Sequence, residues 1–180
     1  MTSGASTFSL SAWARERRRT IQVVALGTLS WAIIFGAVWR LWPTAPFVAP
    51  ADRVSYALQL GAAPALLMLL MTCACLRLFD TPRAEDPRLG AESERWKINQ
   101  RVLTNTVEQS WIFVPLVLAL SPRLSPGQLK LLPVAVSVWC AGRVMFWVGY
   151  HVAPAWRAPG FDWTFNTTCL LAGWFLYTLV

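Results

Sequence analysis

The chain is poor in the side chains that most soluble chemistry needs. It has one histidine, His151, nine carboxylates and only 14% charged residues. A soluble domain carries about 25% charged residues, so a water-facing surface is missing. The four cysteines, Cys73, Cys75, Cys140 and Cys169, fall in apolar runs with no metal-ligand spacing and no disulfide framework, and read as small buried residues. No metal site and no conventional cofactor motif is expected. His151 follows an apolar run and reads as an interfacial polar residue rather than a catalytic base.

What is present is apolar: 56% of 180 residues, in runs near the roughly 20 residues that cross a bilayer core. The fold class is therefore an all-α integral membrane protein, without a soluble domain. Sixteen Lys and Arg against nine acids leave a net charge of +7. Much of that excess lies at Arg15–Arg19 and 83–101, where topology and membrane lipid headgroups explain it and nucleic acid is not needed.

In order, residues 1–20 form a basic N-terminus. Ile21–Trp42 is an apolar run longer than the 7–15 residues of a signal-peptide core and reads as a retained helix. Pro43–Asp52 is a short loop. Tyr56–Phe79 is the second span, with Pro64 predicting a kink. A polar loop, 80–97, leads to the third span, Ile98–Leu120. Leu131–Tyr150 and Asp162–Val180 follow as the fourth and fifth. Eleven Lys/Arg (Arg15, Arg17, Arg18, Arg19, Arg77, Arg83, Arg88, Arg95, Lys97, Arg101, Arg157) fall on one side. Four (Arg40, Arg53, Arg123, Lys130) fall on the other. The positive-inside rule then places the N-terminus in the cytoplasm of a multi-pass protein. A bacterial inner membrane is the expected setting. Eleven Trp are many, but several mark span ends, as aromatic belts do. The deeper two, Trp111 and Trp147, read as lining a pocket or making a helix contact, and the contact is the expectation.

The third span opens with polar residues. Arg101, Asn105 and Glu108 stand at i, i+4 and i+7, on one helix face. A carboxylate two turns inside a span is costly unless paired. Arg143 in the fourth span lies at similar depth: seven residues before Tyr150, as Glu108 lies seven after Arg101, about 10.5 Å in each case. A Glu108–Arg143 pair is the expectation. Arginines clamp carboxylates, Asn105 can bond an amide and Glu108 an ammonium, so the seam suits a zwitterionic peptide. An ion pair that only fixes helix register is the alternative. A polar conduit is a third reading, lacking the broken helices or repeated halves of a transporter.

Arg101-x-x-x-Asn105-x-x-Glu108 opening a span, then Arg143, Tyr150 seven later and Arg157 seven beyond, resembles the MAPEG family (membrane-associated proteins in eicosanoid and glutathione metabolism), which includes microsomal glutathione transferases. The resemblance covers roughly residues 56–180. It implies a MAPEG-like four-helix membrane domain over 56–180, with 21–42 an extra N-terminal transmembrane helix, and a homotrimer binding glutathione between subunits. Arg101, Asn105, Glu108, Arg143 and Tyr150 would line the glutathione site. Arg157 would be the catalytic residue that stabilises the thiolate of this co-substrate, and a lipophilic small molecule would be its electrophilic partner. Arg77 loosely matches a basic residue ending the family's first helix. Phe146 and Gln109 stand where some members have Tyr. The resemblance implies a transferase or peroxidase; a non-catalytic membrane binding or scaffold protein is the alternative.

Overall fold

The computed structural model describes residues 10–44, 46–47 and 49–180. Residues 1–9 of the expected basic N-terminus lie outside them. Six α-helices follow in order: α1 Leu10–Leu41, α2 Pro50–Leu60, α3 Ala62–Ala74, α4 Glu94–Leu120, α5 Leu131–Val152 and α6 Arg157–Tyr177. No strand occurs among the described residues. α1 starts before the apolar run, so part of the basic segment is helical as well.

Four helical segments are long and apolar enough to cross a bilayer: 21–41, 50–74, 94–120 and 131–152. The second is divided into α2 and α3 at Gly61, one turn before Pro64. The cause is the one the sequence suggests, because proline has no N–H for the carbonyl four residues back. α6, the expected fifth span, has 21 residues but is not among the four. Asp162, Thr164, Asn166, Thr167 and Thr168 lower its hydropathy.

Those polar groups are used within the bundle. Trp31 of α1 donates through Nε1 to Thr167 Oγ1 at 2.9 Å. Trp163 Nε1 donates to Ser30 Oγ at 3.0 Å, and Asn166 Nδ2 to Thr28 Oγ1 at 3.3 Å. Thr167 and Thr168 also bond back to carbonyls one turn earlier, at 2.7 and 2.8 Å. The additional helix is thus tied to the last helix by a row of polar contacts. A Cβ on Gly27 would collide with Asp162, so α1 needs glycine there.

α5 and α6 make the closest helix pair. Side chains at Gly142 or Gly160 would strike the opposite helix, and one at Gly149 would strike the Trp156 backbone. Small residues let backbones approach where the hydrophobic effect offers little drive between helices. The larger apolar core fills the end near the α4–α5 turn, where Phe113 stacks on Trp139 with ring centroids 4.9 Å apart. A smaller cluster, Leu67, Met71, Val102 and Phe146, lies toward the other end. Tyr150 of the polar seam packs against that second cluster.

The loop between α3 and α4 is folded as three short 3-10 turns. Arg77 pairs with Glu92 at 2.9 Å and lies over the Trp96 ring, 4.6 Å from its centroid. Trp96 Nε1 donates to the Cys75 carbonyl at 2.7 Å. Asp80 accepts from the Ser93 N–H at 2.9 Å, and Ser93 in turn caps α4 by accepting from the Trp96 N–H. Hydrogen bonds from Ser93 hold the Asp80 carboxyl below the usual carboxylate range.

Candidate functional site

The buried stripe of α4 runs through Asn99, Val102, Thr106, Ser110, Phe113, Val117 and Leu120. This is the 3.6-residue period of a helix packed on one side. Asn105 lies at the margin of the stripe, half-buried. Arg101 and Glu108 lie beyond it and are exposed on the protomer.

That geometry corrects the expected ion pair. Arg143 of α5 is 0% exposed and meets Asn105, not Glu108: one terminal nitrogen donates to Asn105 Oδ1 at 2.9 Å. Its Nε and other terminal nitrogen have no protein acceptor. The guanidinium lies over the Phe146 ring, 4.2 Å from the centroid. Phe146 thus supports the arginine through its ring face. Glu108 makes no ion pair among the described residues. It shares its exposed surface with Trp111, 76% exposed, and Ile112. Trp111 therefore makes no helix contact of the kind expected from the sequence.

Tyr150 and Arg157 form the second half of the site. Arg157 donates to the Tyr150 hydroxyl at 2.7 Å and its guanidinium stands 4.9 Å from the centre of that ring. Tyr150 meets Phe146 edge-on at 5.5 Å. Phe146 thereby links the Arg143 and Arg157 groups. Arg157 is the first residue of α6, not a loop residue, and the N-terminus of α6 has no side-chain cap. A guanidinium at the start of a helix favours an anion there.

Asn99 was not singled out in the sequence. It is 5% exposed; its Oδ1 accepts from Trp147 Nε1 at 2.9 Å and meets His151 Nε2 at 2.8 Å, while its Nδ2 donates to the Ala74 carbonyl at 3.0 Å. One amide thus joins α3, α4 and α5. Its place on the Val102–Thr106 stripe, and the i, i+4 spacing of Trp147 and His151, were the available signals. The cysteines are free thiols: Cys75 and Cys140 are half-buried, but Cys73 and Cys169 are exposed on the protomer, against expectation.

Transmembrane protein 79 of Mus musculus is 25% identical to the chain over 172 residues, covering 91% of this chain and 42% of that protein. The chain thus spans less than half the length of this curated relative. No solved structure matches it. Residues 56–177 match the MAPEG family, more than half of the chain. That stretch contains α3 to α6 and every residue of the polar seam, and the chain therefore belongs to the MAPEG family.

Proposed function

We propose that the protein is a membrane-embedded, glutathione-dependent transferase or peroxidase acting on lipophilic electrophiles or hydroperoxides. One observation carries this reading. Arg143 is fully buried, charged and held by Asn105, yet two of its three nitrogens face no protein acceptor. A buried guanidinium is costly unless its donors are met, and a bound carboxylate meets two at once. Arg143 and Tyr150 are seven residues apart on α5, about 10.5 Å along the axis. An extended tripeptide reaches roughly 10 Å. One end would bind at Arg143 and Asn105, and the other would reach Tyr150 and Arg157.

Arg157 then favours the thiolate over the thiol. In transfer, the sulfur forms a bond to the electrophilic carbon while the leaving group departs or a strained ring opens and takes a proton. In peroxide reduction, two glutathione thiols give one disulfide, and the hydroperoxide becomes alcohol and water. Arg101 and Glu108 face away from their own protomer, and a lone carboxylate beside Trp111 would be costly in lipid. Assembly as a homotrimer would cover that face and bring Glu108 to a glutathione ammonium between subunits. The distribution of positive charge supports a cytoplasmic N-terminus.

A non-catalytic membrane scaffold is the second reading. It is favoured by the Asn105–Arg143 bond, which joins two helices without a ligand, and by the relative's name, which states only a transmembrane protein. Calorimetry of glutathione binding to detergent-purified protein separates the two. Saturable binding that Arg143→Met abolishes supports the first; a folded, monodisperse protein with no binding supports the second.

A further inference from the structure

A second polar site lies beside the first and contains none of its residues. A hollow of about 420 Å³ is lined by Ala74, Arg95, Asn99, Trp147, Val148 and His151. It adjoins a hollow of about 270 Å³ that shares Ala74, Arg95 and Asn99 and extends to Phe79, Asp80 and Trp96. Arg95 and His151 both line the larger hollow, and the Arg95 charge repels a protonated His151, a repulsion that a bound anion would relieve. Its lining contains no carboxylate. Asp80 lines the adjoining hollow and is engaged by the Ser93 N–H. Cys73 is the remaining titratable group there.

The hydrogen bonds of Asn99 fix which nitrogen of His151 is available. Trp147 Nε1 can only donate and the Ala74 carbonyl can only accept, so the Asn99 amide has one orientation. Its Oδ1 therefore faces His151 Nε2. Nε2 must carry a proton, which leaves Nδ1 free. Protonation of the imidazole turns Nδ1 into a second donor beside Arg95.

We infer that Arg95 and His151 form a binding site for a phosphate monoester at the membrane surface, the headgroup of an anionic amphiphile whose chain lies along Trp147 and Val148. Two cations match a phosphate monoester, which carries about −1.5 to −2 charge near neutrality, better than they match a single carboxylate. Arg95 has no ion-pair partner among the described residues, so the anion displaces no internal salt bridge. Binding favours the imidazolium over the neutral ring.

The chain has a single histidine, so nuclear magnetic resonance of ring-labelled protein reports His151 alone. The full chain in neutral-detergent micelles would be titrated with dihexanoyl phosphatidic acid, dihexanoyl phosphatidylcholine and inorganic phosphate. The expected result is a saturable one-site movement of the His151 ring signals with phosphatidic acid and none with phosphatidylcholine. It should weaken on the order of tenfold in Arg95→Gln. Saturation by inorganic phosphate alone at similar concentration would retain the phosphate site and assign it to a soluble ligand. A non-saturating drift, equal in Arg95→Gln, would overturn the site. So would displacement of the phosphate probe by glutathione, since the hollow would then be part of the first site. The readout does not depend on glutathione turnover, so it stands or falls separately from the proposed reaction.

Discussion

Asn105 holds Arg143 by a single 2.9 Å hydrogen bond, and the rest of that buried guanidinium is free of protein acceptors. An ionic group kept in the protein interior with unmet donors is costly, and that cost is measurable.

Arg143→Met should therefore move stability and binding in opposite directions. Replacing a buried charge by an apolar side chain of similar length is neutral or stabilising by about 1–4 kcal/mol, despite the loss of one hydrogen bond. Glutathione binding should vanish. Thermal unfolding in detergent and calorimetry on the same preparation check both halves; a large loss of stability would make Arg143 a structural anchor instead.

Asn105→Ala should leave Arg143 buried without its one partner. The expected cost is about 1–3 kcal/mol of stability, as for an unsatisfied buried donor. Glutathione affinity should fall as well, because Arg143 loses the group that orients it. Unfolding midpoints alongside a binding isotherm would detect this, and wild-type values in both would exclude a positioning role.

Gly160→Leu should separate α5 from α6. A side chain at Gly160 has no room beside the Phe146 and Gly142 backbones, and overpacking of this kind costs about 1–3 kcal/mol or more. The Arg157–Tyr150 bond depends on that close approach. Cross-linking between cysteines placed on the two helices should become slower, while Gly36→Leu, where nothing stands within 4 Å, should leave it unchanged.

The α3–α4 loop should open in acid. Asp80 has a folded-state pKa below its ordinary value, so its stabilising hydrogen bonds are fully present above the usual carboxylate range. They are lost as pH falls through the lowered folded value. Hydrogen exchange across residues 76–93 should accelerate over that interval in the wild type. Asp80→Asn should show faster exchange at neutral pH and little further change in acid.

Much of the fold is legible because lipid imposes a simple requirement on sequence: about 20 apolar residues per span, with positive charge on one side. The Pro64 effect appears as the interruption at Gly61. α6 was harder to read, because its threonines and Asp162 serve contacts with α1 that no local pattern discloses. The site was legible in composition but not in pairing. Helical spacing put Arg101, Asn105 and Glu108 on one broad face, and about 60° of rotation between i and i+3 decides which meets α5. Asn105 falls on the inner margin and Glu108 on the outer, so Arg143 met the amide. Asn99 escaped notice because its partners Trp147, His151 and Ala74 lie 25 to 52 residues away in sequence.

The central claim is that the buried, half-satisfied Arg143 and the Tyr150–Arg157 pair bind glutathione and hold it as a thiolate. Glutathione calorimetry with ultraviolet thiolate absorbance on wild type, Glu108→Gln and Arg157→Ala tests it most directly. The account predicts saturable binding and a thiolate signal in the wild type, weakened binding in Glu108→Gln, and binding without the thiolate signal in Arg157→Ala. No binding by a folded, monodisperse wild type would contradict it.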